Sequence, residues 1–173
     1  SNPLGNFTIR PTGSQYTIYV RDWLNNKAIS KPSISGADTD ANGDDDGKLV
    51  ITIDSSSAQH DILNVKLVAN GYRNENITID LNKKASRIVH MVTDKKDIYI
   101  SNASGKYDVY SVDVDGKNKE LVLAGTGLEK KELTIIQNPI TNTAALVSSR
   151  VNAHNNDGYL LNTLTIINLE DNT

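Results

Sequence analysis

Alternating apolar and polar positions dominate the first half of the chain. Gln15–Trp23 sets Tyr16, Ile18 and Val20 on one face and Gln15, Thr17, Tyr19 and Arg21 on the other. Lys48–Asp54 turns Leu49, Ile51 and Ile53 inward, Ile62–Ala69 turns Leu63, Val65 and Leu67, and Asn76–Leu81 turns Ile77, Ile79 and Leu81. A period of two over four or more residues is the mark of a half-buried strand. Phe7–Pro11 and Pro32–Ser35 are weaker candidates, and their prolines place them at sheet edges. Asn, Gly and Asp clusters at Asn25-Asn26, Gly36–Gly47 and Asn70-Gly71 supply the reversals between strands. No stretch carries a helical period over ten residues. This is the pattern of a β-sandwich over residues 1–85.

Strands are also predicted over residues 86–173, at Arg87–Val92, Asp97–Asn102, Asp108–Asp115, Glu120–Ala124, Leu133–Gln137, Ala144–Arg150 and Thr163–Glu170. The segment repeats itself. Asp97–Ser101 is similar to Ala145–Ser149, and Asp108–Asp115 to Thr163–Glu170, with a polar insert at Asn152–Gly158 in the second copy. The first copy counts four strands and the second three, which points to a repeated β-meander. The fold expected is therefore all-β: an immunoglobulin-like sandwich over 1–85, then one to two blade-like units over 86–173. Two tandem sandwiches are the alternative.

Composition sharpens this picture. Aspartate (16) outnumbers glutamate (5), and asparagine is frequent, so the acidic residues belong to turns rather than helices. With 18 basic and 21 acidic side chains, the formal charge is −3 and the pI about 5.6, which argues against nucleic acid as a partner. The absence of cysteine excludes disulfides, zinc–thiolate sites and thiol nucleophiles. No apolar run reaches the ~20 residues of a membrane-spanning helix.

The strongest candidate site is Asp38-Thr39-Asp40-Ala41-Asn42-Gly43-Asp44-Asp45-Asp46-Gly47. Oxygen ligands at Asp38, Asp40, Asn42 and Asp44 follow the alternate spacing of an EF-hand-type Ca2+ loop, with Gly43 at the sixth position and Asp46 in reach of the ion. A cation relieves the repulsion of five clustered carboxylates. However, position twelve is Leu49 rather than glutamate, and a strand follows instead of a helix. The competing reading is a solvated hairpin turn, in which Asp, Asn and Gly are ordinary residues.

The remaining chemistry is sparse. His60, His90 and His154 share no ligand spacing; His90, in an apolar strand, is expected to be packed. Serines are common, but no Gly-x-Ser-x-Gly elbow occurs. Ala124-Gly125-Thr126-Gly127 lacks the full dinucleotide or P-loop pattern and reads as a linker between repeats. Trp23, the single tryptophan, is expected to plug the core or a domain interface.

Two resemblances organise these features. Residues 14–82 resemble the carboxypeptidase-regulatory-like group of bacterial immunoglobulin-like domains. The likeness lies in Ile18-Tyr19-Val20, Asn26–Ile34, Thr39-Asp40, the Asx-Gly hairpin ending Asp46–Ile51, and Val68-Ala69-Asn70-Gly71-Tyr72. Residues 97–171 resemble blades of a TolB-like propeller, through Asp97–Ser101, Ser104–Tyr110 and Val112–Asn118. There Asp115-Gly116 supplies a positive-φ turn, and Tyr99 and Tyr110 are expected to pack blade on blade. The proline-aspartate-glycine turn usual in that family is replaced by Thr93–Lys96 and Asn138–Thr143. Propellers need about four blades, so the chain is expected to be a fragment of a larger protein. The resemblance implies a non-catalytic, secreted or cell-surface module, with periplasm as the alternative location. It would serve adhesion, spacing or the binding of a protein or carbohydrate ligand. The alternative is the non-catalytic front of a propeller-containing hydrolase or peptidase. Open sheet edges over residues 133–170 imply a homo-dimer.

Overall fold

The computed structural model describes residues 14–36, 40–53, 62–83 and 86–170. The protein is all-β, with thirteen strands and no helix among the described residues. In chain order they are β1 (Ser14–Asp22), β2 (Ser33–Ser35), β3 (Ala41–Asn42), β4 (Lys48–Ile53), β5 (Ile62–Val68), β6 (Glu75–Asp80), β7 (Ser86–Met91), β8 (Lys96–Ser101), β9 (Asp108–Asp113), β10 (Glu120–Leu123), β11 (Thr134–Gln137), β12 (Thr143–Ser148) and β13 (Thr163–Asn168). The expected strand at Phe7–Pro11 lies outside the described residues.

Two compact units are present, and the boundary falls between Thr93 and Asp94. It lies later than the 85/86 division drawn from the pattern. The cause is β7, expected to open the second half, which instead pairs parallel with β1. The first unit holds a sheet of order β4-β1-β7 and another of order β3-β2-β5-β6. Both sheets feed one core. Ile18, Val20, Leu49, Ile51 and Met91 come from the first sheet, and Leu63, Val65, Leu67, Ile77 and Ile79 from the second. The inward positions named from alternation are therefore the buried ones, except that Leu81 is half-buried against the core; the Ile53 side chain lies outside the described set. Each such aliphatic side chain contributes about 1.5–3 kcal/mol on burial.

The second unit consists of two three-stranded antiparallel meanders, β8-β9-β10 and β11-β12-β13. The first copy thus has three strands, not four. The repeat holds at the level of the hairpin: β8–β9 corresponds to β12–β13. The third strand is added from opposite sides, so β9 is central in its sheet while its counterpart β13 lies at an edge. The β9–β10 turn uses Gly116 at φ 81°, a conformation in which a Cβ is strained. The shared core is small, built on Val109, Ala144, Leu146, Ile167 and Leu169 with Ile98, Ile100 and Ile135 packed around it. Tyr99 and Tyr110 do not enter it. They stack on each other with centroids 5.5 Å apart, under the Lys119 ammonium.

Candidate functional site

The acidic hairpin is tied together by its backbone. The short strand β3 pairs Ala41 and Asn42 with Ile34 and Ser33. The chain then turns, with the Gly43 N–H donating to Pro32 O at 2.6 Å and the Lys31 N–H to Asp44 O at 2.8 Å. Asp44 Oδ1 accepts the N–H groups of Asp46 (3.0 Å) and Lys48 (2.8 Å), capping the turn that launches β4. Asp45 Oδ1 accepts from Ser30 Oγ at 2.8 Å and lies 3.6 Å from Lys31 Nζ. Asp40, Asn42 and Asp46 are exposed. A calcium loop wraps alternate oxygens around one point, whereas extended pairing at Ala41–Asn42 splits this run. Among the described residues no group of three or more His, Asp or Glu side chains is placed to hold a metal. Asp38 and Thr39 lie outside the described residues.

The other singled-out residues are scattered. His90 is exposed on β7, not packed, and its Nε2 meets Asn26 Oδ1 at 3.0 Å. His154 is exposed in the second unit, and His60 lies outside the described residues. Trp23 is 47% exposed, so it plugs no core within its unit. It follows β1 at a position where side chains alternate outward.

Polar chemistry that the sequence did not signal is buried. At the end of β1, Asp22 accepts the N–H groups of Leu24 and Asn25 and the hydroxyl of Tyr72. Burial opposes the Asp22 charge, but these donors prevail and hold its carboxyl below the ordinary range. Burial and the neighbouring Asp22 push the Tyr72 phenol up to about 12.

In the second unit the Gly-rich segment is indeed the link between the two sheets. Its anchor is Glu129, whose side chain is 0% exposed. It accepts from the N–H groups of Thr126 and Gly127, from the Thr126 hydroxyl, and from Arg150 Nη1 at 2.9 Å. Burial works against its charge, yet the backbone donors keep its carboxyl below the ordinary value. Asp108 is held low by the Ser104 hydroxyl and then by the Gly125 N–H, at 2.6 and 2.7 Å. Asp113 takes Lys96 Nζ and Asn118 Nδ2, both at 2.5 Å.

A 720 Å³ hollow in the first unit is lined by Tyr16, Ile62, Thr78, Asp80, Lys83, Ser86 and Arg87. Nucleophilic catalysis requires a hydroxyl in reach of a base. Here Thr78 Oγ1 donates to Asn64 Oδ1, Asp80 pairs with Lys83 at 3.2 Å, and Arg87 Nη1 donates to Thr78 O. The sequence matches no protein-family model and no curated protein.

Proposed function

We propose that the chain is a non-catalytic, secreted or cell-surface module, an adhesion or spacer unit that belongs to a larger protein. In this reading the first unit is an immunoglobulin-like sandwich and the second a blade-like pair of meanders. One observation carries the proposal. The buried carboxylates Asp22, Asp108, Asp113 and Glu129 are all spent on turns and sheet-to-sheet ties. None of them lines the hollow of the first unit described above. The acidic hairpin then serves as a hydrogen-bonded turn, with Asp44 as its cap.

Self-association belongs to the same reading. Among the described residues β13 pairs only with β12, and the strands Thr134–Gln137, Thr143–Ser148 and Thr163–Asn168 carry no charged side chain. An uncharged edge without proline or bulge is a template for another strand. Light scattering over rising concentration is expected to show a dimer, lost in Ile166→Lys; a wild-type monomer throughout refutes the dimer. External protease applied to intact source cells tests location. Loss of the chain is expected, and full protection overturns a surface role.

A further inference from the structure

The outer face of the β4-β1-β7 sheet is cationic on a chain of net charge −3. Its outward positions are Gln15, Thr17, Tyr19 and Arg21 on β1, Lys48, Val50 and Thr52 on β4, and Ser86, Ile88 and His90 on β7. Arg21, Lys48 and His90 are basic, and none of these positions is acidic. Among the described residues the neighbouring carboxylates are Asp22, which accepts the Tyr72 hydroxyl, and Asp44, Asp45 and Asp46 of the turn that leads into Lys48, where Asp44 caps backbone N–H groups and Asp45 accepts from Ser30. Register sets Tyr19 between Lys48 and Ile88, with Arg21 beside His90 in the next row.

Two details make this face ready to bind. Asn26, at φ 60°, accepts Arg21 Nη1 on its carbonyl at 3.1 Å and meets His90 Nε2 with its side chain at 3.0 Å. Both side chains are thereby held in place before any ligand arrives, which lowers the ordering cost of binding. Tyr19 on β1 and Trp23 in the turn that follows β1 are both exposed. Arg21 lies between them in sequence.

We propose that this face binds an acidic polysaccharide, an inference that rests on the adhesion reading above. Sugar rings stack on Tyr19 and Trp23, uronate carboxylates pair with Arg21 and Lys48, and the hydroxyl and amide groups of Thr17, Thr52 and Gln15 meet sugar hydroxyls. A carboxylate takes the Arg fork in two parallel hydrogen bonds. A flat face with rings and cations in rows suits an extended polymer, whereas small ligands favour concave sites. Two fixed cations, Arg21 and Lys48, suit a sparsely charged chain better than duplex DNA, which carries a charge every ~1.7 Å.

The test is affinity electrophoresis of the whole chain in gels containing polygalacturonate, with dextran as the neutral control. Retardation by polygalacturonate alone is expected, weakening as salt rises. Tyr19→Ala and Arg21→Gln should each raise the apparent Kd by roughly tenfold, with circular dichroism unchanged. Tyr159→Ala, an exposed aromatic of the second unit, should bind as wild type. Absence of retardation, equal retardation by dextran, full binding by both variants, or preference for oligothymidylate each overturns the proposal. Lack of binding leaves the non-catalytic reading standing. Reducing ends released from the polymer would instead overturn that reading, and this proposal with it.

Discussion

Removing Arg150 should uncouple the two sheets of the second unit. Its Nη1 donates to Glu129 Oε1 at 2.9 Å and its Nη2 to Ala124 O at 3.1 Å. The paired side chains are 14% and 0% exposed, so water screens the interaction little. In Arg150→Ala the carboxylate stays buried on the remaining donors of Thr126 and Gly127. Breaking a buried pair from one side costs about 3–5 kcal/mol, and those remaining donors set the expectation at about 3. With a urea slope near 1.5 kcal/mol/M, the unfolding midpoint of the unit falls by about 2 M. Hydrogen exchange read peptide by peptide should show amides of β9 and β12 losing protection while those of β1 and β5 keep theirs. The double variant Glu129→Gln, Arg150→Ala removes both charges and should recover much of the loss; with the two single variants it closes a cycle with a coupling energy of about 2 kcal/mol. A loss below about 1 kcal/mol, or strictly additive variants, would refute the claim that this pair ties the linker to the second sheet.

Other expectations follow from neighbouring details. A Cβ on Gly125 would lie 2.6 Å from Tyr107 O, so Gly125→Ala should cost roughly 2 kcal/mol. Gly116→Ala meets nothing within 4 Å and should cost only its φ strain, about 1 kcal/mol in chemical denaturation. Asp44→Ala removes the acceptor for two N–H groups and should cost about 1 kcal/mol; an equal loss in calcium and in chelator, by thermal melting, marks a turn rather than an ion site. The carboxyls of Asp22, Asp108 and Glu129 titrate lower in the folded state. The unfolded chain therefore binds more protons in acid. Their contribution is complete above the ordinary carboxylate range near pH 4 and is lost as pH falls through the native values. Tyr72, raised to about 12, gives the opposite sign: stability present below about pH 10 drains as pH rises toward 12. Melting temperature against pH reads both limbs.

The first unit was legible because one face of each strand is wet. Tyr16-Ile18-Val20 and Leu63-Val65-Leu67 alternate cleanly and are buried as alternation requires. What alternation cannot encode is the partner. Arg87–Val92 reads as a strand, but its pairing with β1 is a long-range, parallel contact with no local signal. In the second unit, Ile135-Ile136 and Ala144–Val147 are apolar on successive positions. Only the covering sheet decides that Ala144 and Leu146 are buried while Ile136 is 61% exposed. Glu129 was concealed by its context, the charged run Glu129-Lys130-Lys131-Glu132. Its burial depends on N–H groups two and three residues back and on an arginine far along the chain. The acidic hairpin was conspicuous because its carboxylates cluster in sequence. The cationic face was not, since Arg21, Lys48 and His90 come from three separate strands and meet only through register.

The parallel pairing of β1 with β7 has a mechanical consequence. Tension drawn between Ser14, where β1 starts, and Met91, where β7 ends, runs along both strands in opposite directions. The ladder from Thr17–Ser86 to Asp22–Met91 is then loaded in shear, so its hydrogen bonds share the force and must fail together rather than unzip one by one. Stretched end to end, the first unit resists as a clasp.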